Sequence, residues 1–394
     1  MSEFKCEAVR LKIVPHPNAD AIEIAMVGDY QSIVKLGQFK DGDLAVYIPE
    51  QSILSQWLMQ EMGFWDAVGQ RGMLHGGARN RVKAIKLRGV VSQGLILGGR
   101  QTEFPDGNHG IGIKDRLGGE LYLSIGDDYA EHLGIIKFEP ELPSHMMGRA
   151  LGVDLDVTHN YDFDNLKKTP DLFEEGEIVG ITEKIHGTLL QVSVVPASKT
   201  DERFYQGRVV MTSKGLGGKG IILDHNDEAN LYAQTVTKHG LMDKMLAHFG
   251  DFADIQNKPV IIFGEVFGRT LSGAGVQDLT YTNEALDYRA FDIAVGSRAS
   301  AVFMDTDDFN HACRVMDIPQ VPMLYMGPYS KEIVLEHTDG KTTLGSDSSK
   351  AHNHIREGVV VKSFYEEVGG FRRKVAKSVS NDYLLRKGDV SEFS

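Results

Sequence analysis

The chain has 394 residues, more than one hydrophobic core ordinarily organises, so two domains are expected. Hydrophobic residues make up 42% and charged residues 25%, which excludes wholesale disorder, and no apolar run approaches the length of a membrane-spanning helix. The formal net charge of -13 disfavours phosphate binding on average. Two local runs depart from that average: Arg79, Arg81, Lys83, Lys86 and Arg88 with no acid between them, and Arg372, Arg373, Lys374 and Lys377 near the end. Each reads either as a basic binding surface or as a solvated strand face. The opening Met1 to Cys6 lacks the apolar core of a secretory signal, so a cytoplasmic location is expected. Cys6 and Cys313 have no Cys or His partner at ligand spacing, which argues for buried thiols rather than a disulfide or zinc framework.

In chain order, residues 6–14, 22–27, 31–36, 44–48, 81–87 and 93–97 are short β-branched runs separated by turn residues, the pattern of a small barrel. Residues 99–170 hold many Gly, Pro, Asp and His with weak periodicity, and read as an irregular extension of that barrel plus a linker. A second texture follows. Strands expected at 178–183, 189–195, 208–212, 260–265, 288–293 and 358–363 alternate with helical stretches, the clearest at 227–248 with Asp227 as cap and a break at Gly240. Strands interrupted by helices and long loops predict an α+β domain over 171–394, behind a barrel module over 1–170.

The chemistry-bearing residues recur in a fixed order. Glu183-Lys-Ile-His-Gly-Thr188 places Lys184 at a strand-to-loop junction. Thr212-Ser-Lys-Gly215, Phe263-Gly-Glu-Val-Phe-Gly268, Arg289-Ala-Phe-Asp-Ile293, Arg356-Glu-Gly-Val-Val-Val-Lys362 and Lys374-Val-Ala-Lys377 follow. Taken one at a time, each has a bland reading as surface charge or strand core. The run Gly215-Leu-Gly-Gly-Lys-Gly220 fits a dinucleotide fingerprint, but it lacks the βαβ surroundings and the Ser or Thr of a phosphate loop, so a flexible substrate-facing loop is expected there.

The six-motif order resembles the covalent nucleotidyltransferases, specifically the ATP-dependent RNA ligases. The Glu-Lys-Ile-His-Gly-Thr motif is similar to that of the bacteriophage type-two group. The stretch from His16 to Asp20 and the stretch from Gly37 to Pro49 resemble the OB module at the front of one branch of that family. The resemblance implies an N-terminal OB-like barrel, then an α+β nucleotidyltransferase domain of antiparallel sheets with helices. It implies that Lys184 attacks the α-phosphorus of ATP to give a lysyl-adenylate, which requires a deprotonated amine and neighbouring cations. Lys377, with Lys374 or Arg373 as companion, would supply that field. Glu265 and Glu357 would hold Mg2+ or Mn2+ through carboxylate oxygens or water. Phe291 would stack on adenine, Glu183 would help hold the nucleotide, and Lys214 would touch ribose or phosphate. His186 replaces the aspartate of many polynucleotide ligases, and by the same resemblance serves the steps after lysine adenylation. The implied partner is nucleic acid with 3'-hydroxyl and 5'-phosphate ends, a nicked RNA-containing duplex gripped by the front module, and the implied state is a monomer. Capping enzymes and DNA ligases share the lysine chemistry but usually continue into a C-terminal barrel, for which the segment after Lys377 is too short. A catalytically inactive RNA-binding protein is the rival from another class, and the intact Lys184, Glu265, Glu357 and Lys377 weigh against it.

Overall fold

The computed structural model describes residues 4–104, 108–138, 147–199, 207–270, 273–279, 281, 286–298, 300–344, 354–365 and 374–386. Arg372 and Arg373 of the second basic run lie outside the described residues. The chain divides into two compact units: residues 2–140 with 165–170 and 381–394 form the front unit, and residues 141–164 with 171–380 form the catalytic unit.

In the front unit, β-branched alternation produces the expected short strands. Lys12–Pro15, Ile22–Val27 and Tyr30–Lys35 form one antiparallel meander. Ala8–Arg10, Leu44–Ile48 and Leu95–Gly98 form the other three-stranded sheet. The first strand serves both sheets, broken at Leu11, whose backbone N–H turns to Asp43 O at 2.9 Å. Gln93 N donates to Gln31 O at 2.7 Å and Ile33 N to Ser92 Oγ at 2.9 Å, which stitches the segment leading into the last strand to Tyr30–Lys35. Closure removes the open strand edges that such short strands would otherwise expose. Leu11, Ala25, Tyr30, Val34, Ala45, Tyr47 and Ile96 fill the interior. Of the first basic run, Arg81 is buried with its guanidinium 4.2 Å from the Phe138 ring centroid, so it belongs to the packing and not to a surface. Arg79, Lys86 and Arg88 are exposed, the last two on the hairpin formed by Ile85–Leu87 and Val90–Ser92.

Within residues 99–170, expected to be irregular, one part is regular. Arg100–Glu103, His109–Lys114 and Glu120–Tyr122 form a three-stranded antiparallel sheet, followed by a short helix, Ala130–Leu133. The glycines that obscured this pattern make room for a stacked Phe104–Tyr122 pair whose ring centroids are 3.4 Å apart. The expected boundary at 170 also runs differently. Ala150–Val153 is an edge strand of the catalytic unit, paired with Ile221–Leu223, while residues 165–170 return to the front unit. There Lys167 O accepts from Asp29 N at 2.9 Å, and Lys167 Nζ donates to Gln93 Oε1 at 2.7 Å and Asn381 Oδ1 at 3.3 Å.

The catalytic unit is built on two antiparallel sheets. The larger has seven strands in the order Ala150–Val153, Ile221–Leu223, Val209–Ser213, Thr188–Val194, Val260–Phe267, Asp287–Val295, Val302–Phe303. One face is covered by the helices Leu231–His239, Leu241–Gln256 and Thr306–Val315, which bury Leu190, Val192, Ile262, Val266, Met245, Phe249 and Phe309 in one core. Each fully buried aliphatic or aromatic side chain there contributes about 1.5–3 kcal/mol. Asn230, not Asp227, caps the first of these helices, its Oδ1 accepting from Tyr232 N at 3.0 Å and Ala233 N at 3.2 Å. Asp227 Oδ2 instead accepts from Arg149 N at 2.9 Å. Gly240 breaks the pair as expected, in the left-handed conformation at φ 60°.

The smaller sheet has the order Met323–Pro328, Ile178–Lys184, Gly358–Ser363, Val375–Val379. Ile178–Lys184 therefore lies in one sheet and Thr188–Val194 in the other, and the chain crosses between them through Ile185, His186 and Gly187. The crossing is tight. A Cβ at Gly187 would lie 2.3 Å from Val266 O and 2.9 Å from Glu265 Cγ, so only glycine fits without moving the neighbouring strand. Gly187→Ala should lower unfolding free energy by about 1–3 kcal/mol, the usual cost of forcing atoms into a filled space. Denaturant unfolding at constant m-value checks it.

Candidate active site

Lys184 ends its strand opposite Gly358, so the residue before that glycine, Glu357, comes alongside it. Gly358 adopts φ 152°, a conformation L side chains rarely take, at the point where the chain turns Glu357 toward the lysine. Lys184 Nζ donates to Glu357 Oε1, with the lysine side chain 16% exposed and the glutamate 1%. His186 stands on the other side of the same carboxylate, its Nδ1 3.5 Å from Glu357 Oε2. Its Nε2 is 2.8 Å from Asp278 Oδ1, and its backbone N–H donates to Tyr281 Oη at 2.7 Å. Asp278, His186, Glu357 and Lys184 thus form a chain of alternating charge across the sheet crossing.

Burial penalises charge on His186, but Asp278 and Glu357 outweigh it and raise its pKa above the ordinary imidazole value. Burial likewise penalises Glu357, and the charges of Lys184 and His186 more than offset it, so its pKa falls below the ordinary range. Glu265 behaves oppositely. It lies within Val260–Phe267, paired with Leu189 on one side and Arg289 on the other, rather than at a strand end as expected. Burial pushes its pKa up to about 7, the charge of Glu357 adds to the rise, and Lys184, Lys214 and His186 pull against it.

Lys377 shares a sheet face with Lys184: Val360 pairs with Thr182 and with Lys377, and Thr182 is two residues from Lys184. Lys377 is 4% exposed. Lys214 opens the short helix Lys214–Gly217, and its Nζ lies 3.9 Å from Asp162 Oδ1. The glycine-rich run around it is pinned rather than loose, Arg298 Nη1 donating to Gly218 O at 3.1 Å and Arg298 Nε to Thr158 O at 3.1 Å. Phe291 is half-buried on the face of the larger sheet away from the helices, its ring centroid 5.1 Å from that of Tyr161.

Two expected site residues face elsewhere. Lys374 Nζ lies 3.1 Å from Glu177 Oε2, at the end of the smaller sheet remote from Lys184, so it is not a companion of Lys377. Successive strand residues point to opposite faces, and Glu183, beside the nucleophile, turns away from it. Its carboxylate accepts from Thr343 N at 2.8 Å, Thr343 Oγ1 at 2.7 Å and Thr342 Oγ1, which ties it to that loop on the face away from Lys184. Asp278, Tyr281, Tyr161, Asp292 and Lys362 were not singled out from the sequence. Lys362 and Asp292 lie inside quoted motifs and could have been; Asp278 and Tyr281 lie in a loop segment with no periodic signal.

Among the described residues no three His, Cys, Asp or Glu side chains gather around one point as a ready-made metal cage. Glu265 and Glu357, whose carboxylates are close enough to couple, would leave the rest of a cation's shell to water and phosphate oxygens, the usual arrangement for magnesium. A cavity of about 440 Å³ lies elsewhere, lined by Lys238, His239, Lys244, Arg314 and Asp317 but by none of the motif residues. Lys238, His239 and Arg314 stand in the last turns of two helices, where cations complement the helix dipole.

An RNA ligase family model matches residues 177–379, more than half of the chain. The chain belongs to the RNA ligase family. A model of an OB-fold domain matches residues 7–98 of the ligase. No curated protein sequence matches it significantly. Among solved structures, Naegleria gruberi RNA ligase with ATP and Mn is 22% identical, covers 96% of this chain and 97% of its own, and superposes with TM-score 0.67. The same enzyme with PPi is 23% identical over 96% and 98%, with TM-score 0.67. An apo variant is 22% identical over 98% of both chains, with TM-score 0.68. At these identities the likeness establishes the fold: an OB-fold front and an α+β ligase domain.

The raised pKa of Glu265 carries a stability signature. A carboxylate whose folded pKa exceeds its unfolded value binds protons more tightly when folded, so stability is retained at low pH and lost as pH rises from the ordinary range through about 7. At about 1.4 kcal/mol per pH unit the loss amounts to about 3 kcal/mol. Metal-free Glu265→Gln should therefore melt higher than wild type at pH 8, with the gap closing by pH 5. Thermal melts across that range check it.

Proposed function

We propose that this protein is an ATP-dependent RNA ligase that joins a 3'-hydroxyl to a 5'-phosphate through a lysyl-AMP intermediate. The observation that carries the reading is the convergence of Lys184, His186, Glu357 and Glu265 at one sheet crossing, with Lys377 on the sheet face of Lys184, in a chain of the RNA ligase family. Naegleria RNA ligase, solved with ATP and Mn and with AMP and Mn, lends ATP and a divalent cation to the reading.

In the first step Lys184 Nζ, having shed a proton, attacks the α-phosphorus. A P–N bond forms, the bond from that phosphorus to the leaving oxygen breaks, and pyrophosphate departs. In the second, a 5'-phosphate oxygen displaces the lysine, which regains its proton, and AMP moves to the RNA end. In the third, the 3'-hydroxyl gives up its proton to solvent, its oxygen bonds to the 5'-phosphorus, the bond from that phosphorus to AMP breaks, and AMP leaves. Lys377 and Lys214 bring positive charge to the phosphates, while Glu265 and Glu357 would hold Mg2+ or Mn2+, which would neutralise phosphate charge when bound. Phe291 offers a flat face for the adenine. These contributions are chiefly positioning and charge neutralisation. Asp278 holds His186 by Nε2, leaving Nδ1 toward Glu357, an arrangement suited to reorganising the site after the lysine is adenylylated.

Lys184→Ala should retain no label from radiolabelled ATP after denaturation, and a labelled Lys184→Ala protein would end the proposal. His186→Ala should lose sealing of a 5'-phosphate end at least tenfold more than it loses lysine labelling. Equal loss in both assays would remove the assigned role of the histidine.

The front unit is read as the grip on a nicked, RNA-containing duplex, by a protein acting as a monomer in the cytoplasm. Its exposed cations Arg79, Lys86 and Arg88 support this. Joint replacement of Lys86 and Arg88 by Glu should weaken nick sealing and flatten its salt dependence, with lysine labelling within twofold of wild type. Sealing that keeps its wild-type salt slope would discard the grip.

A further inference from the structure

Lys362 belongs to the same motif as Glu357, yet it reaches out of its own sheet. It lies on the face that also carries Lys184 and Lys377, since Lys362 pairs with Gly180 and Val375 while Val360, two residues back, pairs with Thr182 and Lys377. Its ammonium crosses to the larger sheet, 3.1 Å from Asp292 Oδ2, and donates to the backbone carbonyl of Phe291 itself. The ammonium also stands 5.7 Å from the Phe309 ring centroid. Asp292, 1% exposed, accepts in addition from Tyr161 Oη at 2.5 Å, and the Tyr161 ring packs beside Phe291.

A buried ion pair is a weak source of net stability, because desolvating both charges offsets most of their attraction. What such a pair does supply is registry. Here it fixes one sheet against the other at the residue whose aromatic ring is half-exposed, holding that residue by its own carbonyl and by its neighbour's carboxylate. We propose that Lys362 is a positioning residue for base recognition: with Asp292 and Tyr161 it holds Phe291 at the distance from the Lys184 face that a flat purine base requires. This rests on the ligase reading above, in which Phe291 stacks on the adenine of ATP. The phosphates are handled by other residues, so the role is confined to the base end of the nucleotide.

The experiment is single-turnover labelling of the full chain at varied ATP, with inorganic tripolyphosphate as competitor. Lys362→Met leaves Asp292 buried without this cation and risks misfolding, so the Lys362→Met/Asp292→Leu pair, which replaces the ion pair by apolar contact, is measured beside it. Half-saturating ATP should rise about tenfold in both, the scale of a lost base–aromatic stack, while tripolyphosphate inhibits within twofold of wild type. In a Phe291→Leu background the same changes should add less than twofold, because they act through that ring. A folded variant with wild-type ATP dependence, parallel loss of ATP and tripolyphosphate binding, or full additivity with Phe291→Leu would each overturn the proposal. Failure of the wild-type protein to form denaturation-resistant label is a separate outcome, and it would sink the ligase reading on which the proposal stands.

Discussion

The catalytic unit depends on one electrostatic contact made at one topological place. Lys184 closes a strand of the smaller sheet, the chain passes to the larger sheet within three residues, and at that crossing the lysine meets Glu357. Because both residues are fixed by the same backbone ladder, their separation is set by strand register and not by side-chain choice. A lysine left alone in this mostly buried position would be costly, and so would a lone glutamate. Together each offsets the other's loss of hydration.

The two glutamates of this site have different fates because their neighbours differ. Glu357 touches both Lys184 and His186 and stays ionised, whereas Glu265 lacks so close a cation and drifts toward neutrality. A carboxylate held in this state is a standing cost to the fold, of the kind seen where selection favours chemistry over stability. The surrounding architecture tolerates it because the opposite face of the same sheet buries a continuous apolar core against three helices.

Much of this was legible in the residues. The strands 22–27, 44–48 and 358–363 coincide with observed elements, since β-branched runs between turn residues leave little choice of conformation. The order of motifs singled out Lys184, His186, Glu357 and Glu265, which the fold draws to one sheet crossing, and Lys377, which it sets on the sheet face of Lys184. What escaped had physical reasons. The sheet over 100–122 is glycine-rich because aromatic rings lie over its backbone, which erases the alternating pattern. Glu183 and Lys374 sit in the right motifs, but side-chain direction depends on register and on competing partners, Thr342 and Thr343 for one and Glu177 for the other. Asp278 reaches His186 from a segment with no periodicity, and only tertiary folding brings them together.

The front unit is assembled from three separate stretches of chain, with Lys167 tying strand-end Gln93 to Asn381. The polypeptide therefore shuttles between the units, and no single cut separates them into independent pieces. Asn381 also follows closely on the strand that carries Lys377. Removing residues 381–394 would therefore take from the front unit a partner of Lys167 while leaving in place the strand that carries Lys377. Circular permutation and protease dissection of this chain will have to respect that braid.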